Sequence, residues 1–243
     1  MKVIGIIPAR FGSTRFPGKP LADINGTTMI QRVYEQAKKS NSLSNVVVAT
    51  DDERIFNHVL EFGGIAIMTS SNHQSGTDRC REAVLKLDMA YDVVVNIQGD
   101  EPYIDPKQID LLVSCFNNEA TQIATLVKRI TLLDDIFNKN IVKVVIDKHM
   151  KAMYFSRSPI PFSRNCEEQQ WLQHAPYYKH IGIYAYRNDI LKAITELDQS
   201  ILEKTESLEQ LRWLENGYGI QVAITELESI AVDSPEDILK FKL

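Results

Sequence analysis

The sequence predicts an α/β protein with a mostly parallel central sheet flanked by helices. Short β-branched runs, such as residues 3–7 and 45–50, are typical of strands that are buried on both faces. Helical patterns of about ten to fifteen residues lie between such runs, as in βαβ units. The chain has 243 residues, 44% hydrophobic and 24% charged. This composition favours one globular domain over residues 1–243.

The first half of the chain provides the βαβ units. The strand at residues 3–7 ends at a proline, and a polar stretch rich in glycine and proline follows at residues 9–20. The next helix places Ile30, Val33 and Ala37 on one face. The further elements of this half are predicted as a helix at 28–39, a strand at 45–50, a helix at 51–62, a strand at 65–68, a helix that is capped by Thr77 or Asp78 and ends near Leu87, and a strand at 91–97.

After residue 118 the pattern changes to strands with less helix between them. We expect antiparallel additions to the sheet and a smaller lobe, within about residues 123–215. Residues 158–178 are polar, aromatic and interrupted by proline, which favours a loop or flap. No repeat or linker divides the chain. The elements of this half are predicted as strands at 123–130, 142–146, 152–155, 180–186 and 220–225, a helix at 203–215, and a final helix that begins at Pro235.

Composition argues against several classes of protein. The formal charge is −5, from 27 basic and 32 acidic residues, whereas nucleic-acid binding usually leaves a basic stripe. No apolar run approaches the roughly 20 residues of a membrane helix, and the N-terminal apolar run is too short for a signal peptide. Cys80, Cys115 and Cys166 form no Cys-x-x-Cys pair and fit a reducing compartment. We therefore expect a cytoplasmic protein whose partners are small molecules, without nucleic acid or membrane.

The first candidate site is the loop at residues 8–20, directly after the first strand. In open α/β sheets, ligands bind beyond the carboxyl ends of the strands, which is where this loop lies. Arginine forks and a lysine ammonium are suited to the oxygens of a triphosphate. The alternative is a surface loop with solvated charges. The charged and hydroxyl donors of the loop are Arg10, Ser13, Thr14, Arg15 and Lys19.

The same loop is not a Walker motif, although it resembles one. Five residues separate Gly12 from Gly18, whereas the P-loop has four between its glycines. Pro20 also stands where the P-loop has the Ser or Thr that ligates Mg²⁺.

The second candidate site follows the strand at residues 91–97. This strand delivers Gln98, Asp100 and Glu101 to the same edge of the sheet as the loop. Mg²⁺ typically takes one or two protein carboxylates together with substrate phosphates. Asp100 also fits a simple turn before Pro102, but the neighbouring cationic loop favours a metal site.

Two further segments have less specific patterns. Asp233 lies just before the final helix, where capping by Asp233 or Ser234 and metal binding both explain an acidic residue. Residues 71–79 run from a polar loop into a helix, which fits either hydrogen bonding to a nucleoside or a helix start. His73, within this segment, is typical of a structural histidine.

Together these motifs resemble, from end to end, the 3-deoxy-manno-octulosonate cytidylyltransferases (CMP-Kdo synthetases). The acylneuraminate cytidylyltransferases share the character of the first motif but not the HQSGT, QGDEP and IGIYAYR set. The matching segments are IIPARFGSTRFPGKPL (6–21), VVVATDD (46–52), HQSGTDR (73–79), VNIQGDEPYI (95–104), VKVV (142–145), YFSRSPIPF (154–162), KHIGIYAYR (179–187), LEQLR (208–212) and VDSPED (232–237).

The resemblance implies a single nucleotide-diphospho-sugar transferase domain with a dimerising lobe near the sugar. It implies a homodimeric enzyme that uses CTP and Mg²⁺ to activate 3-deoxy-D-manno-octulosonate (Kdo) for lipopolysaccharide biosynthesis. Residues 163–178 match no motif, so no site residue is placed there. The implied roles are Arg10, Ser13, Thr14, Arg15 and Lys19 for the triphosphate; Gln74, Ser75 and Gly76 near the nucleoside; Asp100 and Asp233 for Mg²⁺; Arg157, His180, Tyr184, Glu209 and Gln210 for the sugar; and Gln98 between the substrates.

The expected chemistry is attack of the sugar's anomeric hydroxyl on the α-phosphorus of CTP. Such transfers depend mainly on positioning and charge stabilisation, which Lys19, Asp100 and Asp233 would supply with the metal. No side chain stands out as a nucleophile or general base, so metal activation of the hydroxyl is the working mechanism. Two alternatives remain: a nucleotidyltransferase for 8-amino-Kdo, a sialic acid or a polyol phosphate, and a non-catalytic nucleotide-binding module. The presence of both aspartates disfavours the second.

Overall fold

A computed structural model describes residues 1–12, 16–228 and 230–241 of the chain. The predicted phosphate-binding residues Ser13, Thr14 and Arg15 lie outside the described residues. The strands of the described residues are β1 (Val3–Ala9), β2 (Asp23–Ile24), β3 (Thr27–Thr28), β4 (Asn45–Thr50), β5 (Ala66–Met68), β6 (Val93–Asn96), β7 (Ile123–Arg129), β8 (Lys143–Ile146), β9 (Ala152–Ser156), β10 (Tyr178–Arg187) and β11 (Ile220–Ile224).

The described strands form a mixed sheet of nine strands and a separate pair, β2–β3. The central order is β11-β7-β10-β6-β1-β4-β5. β1 lies between β4 and β6 and is parallel to both, and β5 continues this parallel block. β10 is antiparallel to both β6 and β7, while β11 is parallel to β7. The hairpin β8–β9 pairs through β8 with the start of β10. The predicted mostly parallel sheet with antiparallel additions is thus confirmed.

Helices cover both faces of this sheet. No described helix is both long enough and apolar enough to span a membrane. The helices of the described residues are α1 (Met29–Ala37), α2 (Glu53–Glu61), α3 (Gly76–Leu85), α4 (Pro106–Ser114), α5 (Leu133–Phe137), α6 (Trp171–His174), α7 (Asn188–Thr195), α8 (Ile201–Glu206) and α9 (Gln210–Glu215), with 3-10 turns at Lys19–Leu21, Cys115–Asn117, Glu168–Gln170 and Pro235–Phe241.

Strand alternation separates two hydrophobic layers. On β1, Val3 and Ile7 pack into a layer shared with α1, α2 and α4, whereas Ile4 and Ile6 pack into a layer shared with α3, α7 and α9. Successive side chains of a strand point to opposite faces, so a strand that is covered on both sides must be apolar throughout. This is the physical reason for the continuous β-branched run at the N-terminus.

The helix predicted at residues 203–215 is wrong. The structure has α8 and α9 instead, and between them Ser207 adopts a left-handed conformation with φ 53°. A left-handed residue ends a helix because it turns the following carbonyl away from the helical path. The predicted elements also omitted α4, although its start carries a recognisable signal: Asp105 accepts a hydrogen bond from the amide of Lys107, and Pro106 is the first helical residue.

The segment at residues 158–178 is largely irregular, in agreement with the predicted loop. It contains a 3-10 turn at Glu168–Gln170 and the short helix α6. Trp171 and Tyr177 bury their rings in a small separate cluster with Ile130 and Ile136. The two aromatic rings stack with their centroids 5.8 Å apart. These contacts fix the segment against the end of β7.

Candidate active site

A cavity of about 390 Å³ lies beyond the carboxyl ends of β1 and β6, where ligands bind in open α/β sheets. The start of α3, the turn after β6 and the C-terminal segment complete its wall. Nine of the residues singled out in the sequence line it: Arg10, Lys19, Gln74, Ser75, Gly76, Gln98, Asp100, Glu209 and Asp233.

Lys19 and Asp100 form an ion pair in this cavity. The Nζ atom of Lys19 lies 2.8 Å from Oδ2 of Asp100 and donates a second hydrogen bond, of 2.9 Å, to the carbonyl of Val232. The side chains are 17% and 29% exposed, so solvent reaches both. The loop after β1, the turn after β6 and the C-terminal segment therefore meet at one ammonium group.

The turn that carries Asp100 requires a glycine before it. A Cβ atom at Gly99 would lie 2.9 Å from the carbonyl oxygen of Pro8, a contact that real Cβ atoms essentially never make. The missing side chain lets the turn after β6 approach the end of β1 closely. As a result, Asp100 reaches the loop that carries Lys19.

The C-terminal segment is held against the same turn. The amide of Val232 donates to the carbonyl of Asp100 at 2.9 Å, and the Val232 side chain is buried beside Ile24 and Met29. The carboxylate of Asp237 accepts the amides of Asp233 and Ser234 at 3.0 and 2.9 Å. These hydrogen bonds hold the backbone of Asp233 in place at the wall of the cavity.

The donor set of the cavity fits a magnesium ion. Asp100 and Asp233 line one cavity beside the cationic loop. Among the residues that the structure describes, no group of three or more His, Cys, Asp or Glu side chains is arranged to hold a metal. Two carboxylates suffice for Mg²⁺, however, because substrate phosphates and water complete its octahedral shell.

The N-cap and first residue of α3 form another part of the cavity wall. The Ser75 hydroxyl accepts the amide of Asp78 at 3.1 Å, and the Asp78 carboxylate accepts the amide of Ser75 at 3.2 Å. This capping box corrects the prediction that Thr77 or Asp78 caps the helix, since Ser75 is the N-cap and Asp78 is its reciprocal partner. The amides and the positive dipole end of α3 favour an anionic ligand on this side.

The loop before α3 is held by Glu82. His73 and Lys86 contact the Glu82 carboxylate, and the amide of Ser70 donates to it at 2.8 Å. Burial opposes ionisation of Glu82, but the hydrogen bonds from Lys86, Ser70 and His73 outweigh it and lower its pKa to about 2. Glu82 is thus ionised at neutral pH. His73, which the sequence suggested is structural, contacts Glu82 and also lines the cavity.

Arg79 also lines the cavity, although the sequence did not single it out. It is 4% exposed, and its guanidinium donates to Oδ2 of Asp51 at 3.0 Å and to Oγ1 of Thr69 at 2.5 Å. From the sequence alone, an arginine one turn into a helix is predicted to be exposed to solvent. Its position within the HQSGTDR segment was the sequence feature that could have indicated a place in the site.

The predicted sugar residues occupy different places. Glu209 lines the cavity, and Gln98 donates from Nε2 to the carbonyl of Gly182 at 2.8 Å. Arg157, His180, Tyr184 and Gln210 are not among the described residues that line it.

His180 and Tyr184 lie together on β10. Their ring centroids are 5.2 Å apart, and Nε2 of His180 lies 3.0 Å from the hydroxyl of Thr125. Burial lowers the pKa of His180 to about 3, so the imidazole is neutral at pH 7. Burial also raises the pKa of Tyr184. Both rings of the pair are therefore uncharged at neutral pH.

Arg157, which the resemblance places at the sugar, makes several hydrogen bonds within the chain. Its Nε atom donates to the carbonyl of Glu206 at 2.8 Å, and Nη1 donates to the carbonyl of Lys139 at 3.2 Å. Its backbone amide donates to the Glu206 carboxylate at 3.0 Å. In this structure the residue joins the end of β9 to the end of α8.

Comparisons with known proteins show the family to which this chain belongs. A cytidylyltransferase family model matches residues 4–230. A 3-deoxy-manno-octulosonate cytidylyltransferase from Parabacteroides distasonis is 60% identical over 99% of this chain and 96% of its own length. One from Phocaeicola vulgatus is 58% identical with the same coverage.

A solved structure of a CMP:2-keto-3-deoxy-manno-octonic acid synthetase complexed with CTP superimposes with a TM-score of 0.92 and 43% identity. The match covers 99% of this chain and 96% of that protein. The predicted fold is therefore confirmed at the level of the whole chain. The chain belongs to the cytidylyltransferase family and, within it, to the 3-deoxy-manno-octulosonate cytidylyltransferases.

Proposed function

We propose that this protein transfers the CMP part of CTP to Kdo and releases pyrophosphate. This proposal rests mainly on one cavity, which Arg10, Lys19, Asp100 and Asp233 line together with the first residues of α3. Cationic donors suit a triphosphate, and the paired carboxylates suit the metal that accompanies it. The names of the relatives supply the sugar. The product would serve lipopolysaccharide biosynthesis, as the resemblance implies.

The reaction forms a bond between the anomeric oxygen of Kdo and the α-phosphorus. The bond from that phosphorus to the leaving pyrophosphate breaks in line. In such transfers the protein contributes mainly orientation and fixed charge. Lys19 is held in place by Asp100 and the Val232 carbonyl, so its ammonium is oriented before the substrate arrives. Arg10 adds a second cation at the same edge of the cavity.

Asp100 and Asp233 would hold Mg²⁺ in this scheme. When bound, Mg²⁺ supplies positive charge to the phosphate oxygens and lowers the pKa of a coordinated hydroxyl. Lys19 lies against Asp100 and offsets part of the negative charge of that carboxylate. The pair therefore presents both a cation for phosphate and an anion for metal at one point of the cavity.

The sugar would lie toward Glu209 and Gln98. Glu209 has a carboxylate at the cavity wall that can accept hydrogen bonds from sugar hydroxyls. His180, Tyr184, Gln210 and Arg157 remain proposed sugar residues from the resemblance. Since His180 is neutral at pH 7, its role would be a hydrogen bond and not charge pairing with the sugar carboxylate.

A cytoplasmic location and a homodimer complete the proposal. Neither follows from the geometry of one chain. Light scattering on the purified protein tests the oligomeric state directly, and a mass of one chain refutes the dimer.

The decisive experiment is pyrophosphate release with each of the four NTPs crossed with Kdo, 8-amino-Kdo and a sialic acid, in the presence of Mg²⁺. We expect turnover with CTP and Kdo. Turnover with a sialic acid and none with Kdo contradicts the assignment of the sugar and leaves the family unchanged. Preference for 8-amino-Kdo would identify a close analogue as the substrate.

A further inference from the structure

Thr77 connects the two halves of the site. It is the second residue of α3 and is 2% exposed. Its hydroxyl donates to Oε2 of Glu209 at 2.9 Å, across 132 positions of the sequence. The same turn of α3 contributes Ser75 and Gly76 to the cavity wall, and Glu209 contributes to that wall from the start of α9. The hydrogen bond thus joins the proposed nucleotide side to the proposed sugar side.

Several charged and titratable groups face Glu209. Burial raises the pKa of its carboxyl, whereas hydrogen bonds from Thr77 and Ser75 lower it. Arg212, on α9, also lowers this pKa, and Asp78, on α3, raises it. The groups whose own pKa values are raised in part by the charge of Glu209 are Cys80 on α3, Tyr184 and Tyr186 on β10, and Arg212 on α9.

Arg212 does not replace Thr77 as the partner of Glu209. Its guanidinium forms two hydrogen bonds with the Glu203 carboxylate, from Nε at 2.8 Å and from Nη2 at 2.6 Å. A third, from Nη1, goes to the carbonyl of Leu197 at 3.1 Å. These donors fix α9 against α8, so the hydroxyls of α3 are left to orient Glu209.

We propose that Thr77 is a positioning residue, which holds one carboxylate oxygen of Glu209 so that this side chain is oriented toward the sugar hydroxyls in the cavity. The inference rests on the proposed function, because Glu209 is the proposed sugar contact. A buried carboxylate that loses one of its donors loses part of its orientation and part of its preference for the ionised form. Replacement of the hydroxyl must therefore weaken sugar recognition and make Glu209 harder to ionise.

The test compares Thr77→Val, which keeps the shape and removes the donor, with Thr77→Ser, which restores the hydroxyl. Thr121→Val is the matched control, since Thr121 is 5% exposed and donates to the carbonyl of Cys115 at 2.8 Å, away from the cavity. If Thr77→Val does not give folded protein, Thr77→Ala removes the same donor.

The measurements are the KM for Kdo, the Kd for CTP by calorimetry, and the titration of Glu209 by carboxyl ¹³C NMR, with Glu209→Gln to assign the signal. In Thr77→Val we expect the KM for Kdo to rise about tenfold or more, the scale of one hydrogen bond to a charged group. The pKa of Glu209 and the acid limb of kcat/KM should both move to higher pH. The Kd for CTP should change less than about twofold, because the cap of α3 is intact.

Recovery of these values in Thr77→Ser, with Thr121→Val like wild type, supports the inference. An unchanged KM for Kdo in Thr77→Val overturns it, as does an equal change in Thr121→Val. If the wild-type protein shows no turnover with Kdo, the proposed function is refuted, but the positioning role of Thr77 is not. The carboxyl titration then still decides whether Thr77 holds Glu209, and an unchanged pKa overturns that role.

Discussion

At the scale of single residues, the site depends on side chains that have two tasks. Asp100 pairs with Lys19 and also faces the cavity as a proposed metal ligand. Gln98 donates to the carbonyl of Gly182 and also lies beside the substrates in the proposed reaction. In both cases an internal hydrogen bond orients a group whose functional partner is a ligand. Altering Asp100 should cost little stability, because solvent reaches both side chains of its pair with Lys19 and weakens their attraction.

Asp100→Asn separates the proposed role of Asp100 as a metal ligand from its contribution to stability. The amide keeps the shape of the side chain but removes the anionic ligand, so turnover should fall by about 10²-fold or more, the scale of one electrostatic stabiliser. The free energy of unfolding should change by less than about 1 kcal/mol, since the lost pair is solvent-accessible. The measurements are kcat at saturating Mg²⁺ and denaturant unfolding. The exposed Asp88→Asn is the control, and near-normal turnover of Asp100→Asn would make Asp100 a turn residue.

His180 predicts a pH dependence of stability. Its folded pKa of about 3 lies below the ordinary histidine value of 6.5, so the unfolded chain binds the extra proton between these limits. Stability that is present above pH 6.5 is therefore lost as the pH falls toward 3. The slope from this group approaches about 1.4 kcal/mol per pH unit. Denaturant unfolding of wild type and His180→Gln between pH 7 and 5 measures this contribution. If the free energy of unfolding falls equally with pH in both proteins, His180 is not its source.

At the scale of elements, two helices begin with the same type of N-terminal cap but differ in whether that cap lies at the cavity. Ser75 with Asp78 starts α3, and Ser200 with Glu203 starts α8, each as a capping box. Ser75 lines the cavity, whereas Ser200 is not among the described residues that do. The chain thus contains a matched pair of helix starts, one at the proposed nucleotide site and one outside it.

Ser75→Ala and Ser200→Ala should both lower the free energy of unfolding by about 1 kcal/mol, the usual cost of a lost N-cap. Only Ser75→Ala should also weaken CTP binding, because the N-terminal turn of α3 then loses its orientation at the cavity. Thermal unfolding and calorimetry with CTP separate the two effects. Equal CTP affinity in both variants would place the nucleotide away from α3.

At the scale of the whole molecule, the hydrophobic core is stabilised by packing and not by a disulfide bond. The two layers on the faces of the sheet bury most of the large aliphatic side chains. Cys80 is fully buried in one of these layers, and burial raises its pKa well above the ordinary value. Burial raises the pKa of Cys115 as well. Both thiols are therefore protonated at neutral pH and behave as small apolar groups.

Replacement of Cys80, Cys115 and Cys166 by alanine should leave kcat and both Michaelis constants unchanged. The triple variant should lose about 1–2 kcal/mol of stability, mainly from the small cavity at Cys80. Pyrophosphate release and thermal unfolding are the measurements. Loss of turnover in a protein that still unfolds cooperatively would reveal a thiol role.

The sequence by itself determined the features that local physics controls. The run at residues 45–50 coincides with β4, because a strand that is covered on both faces must be continuously apolar. The cationic loop and Asp100 could be placed at one edge of the sheet, since parallel strands deliver their carboxyl ends to the same side. Family membership followed from motifs whose order and spacing are visible without coordinates.

Only the tertiary structure decided the contacts between distant segments. The break at Ser207 depends on a backbone conformation that a serine adopts only where its surroundings impose it. The cavity-facing Arg79 is paired by Asp51 and Thr69, which lie 28 and 10 positions earlier in the chain. The bond from Thr77 to Glu209 joins two helix starts that no local pattern relates. Local propensity describes a few successive residues, whereas these contacts exist because the sheet brings separate helices to one edge.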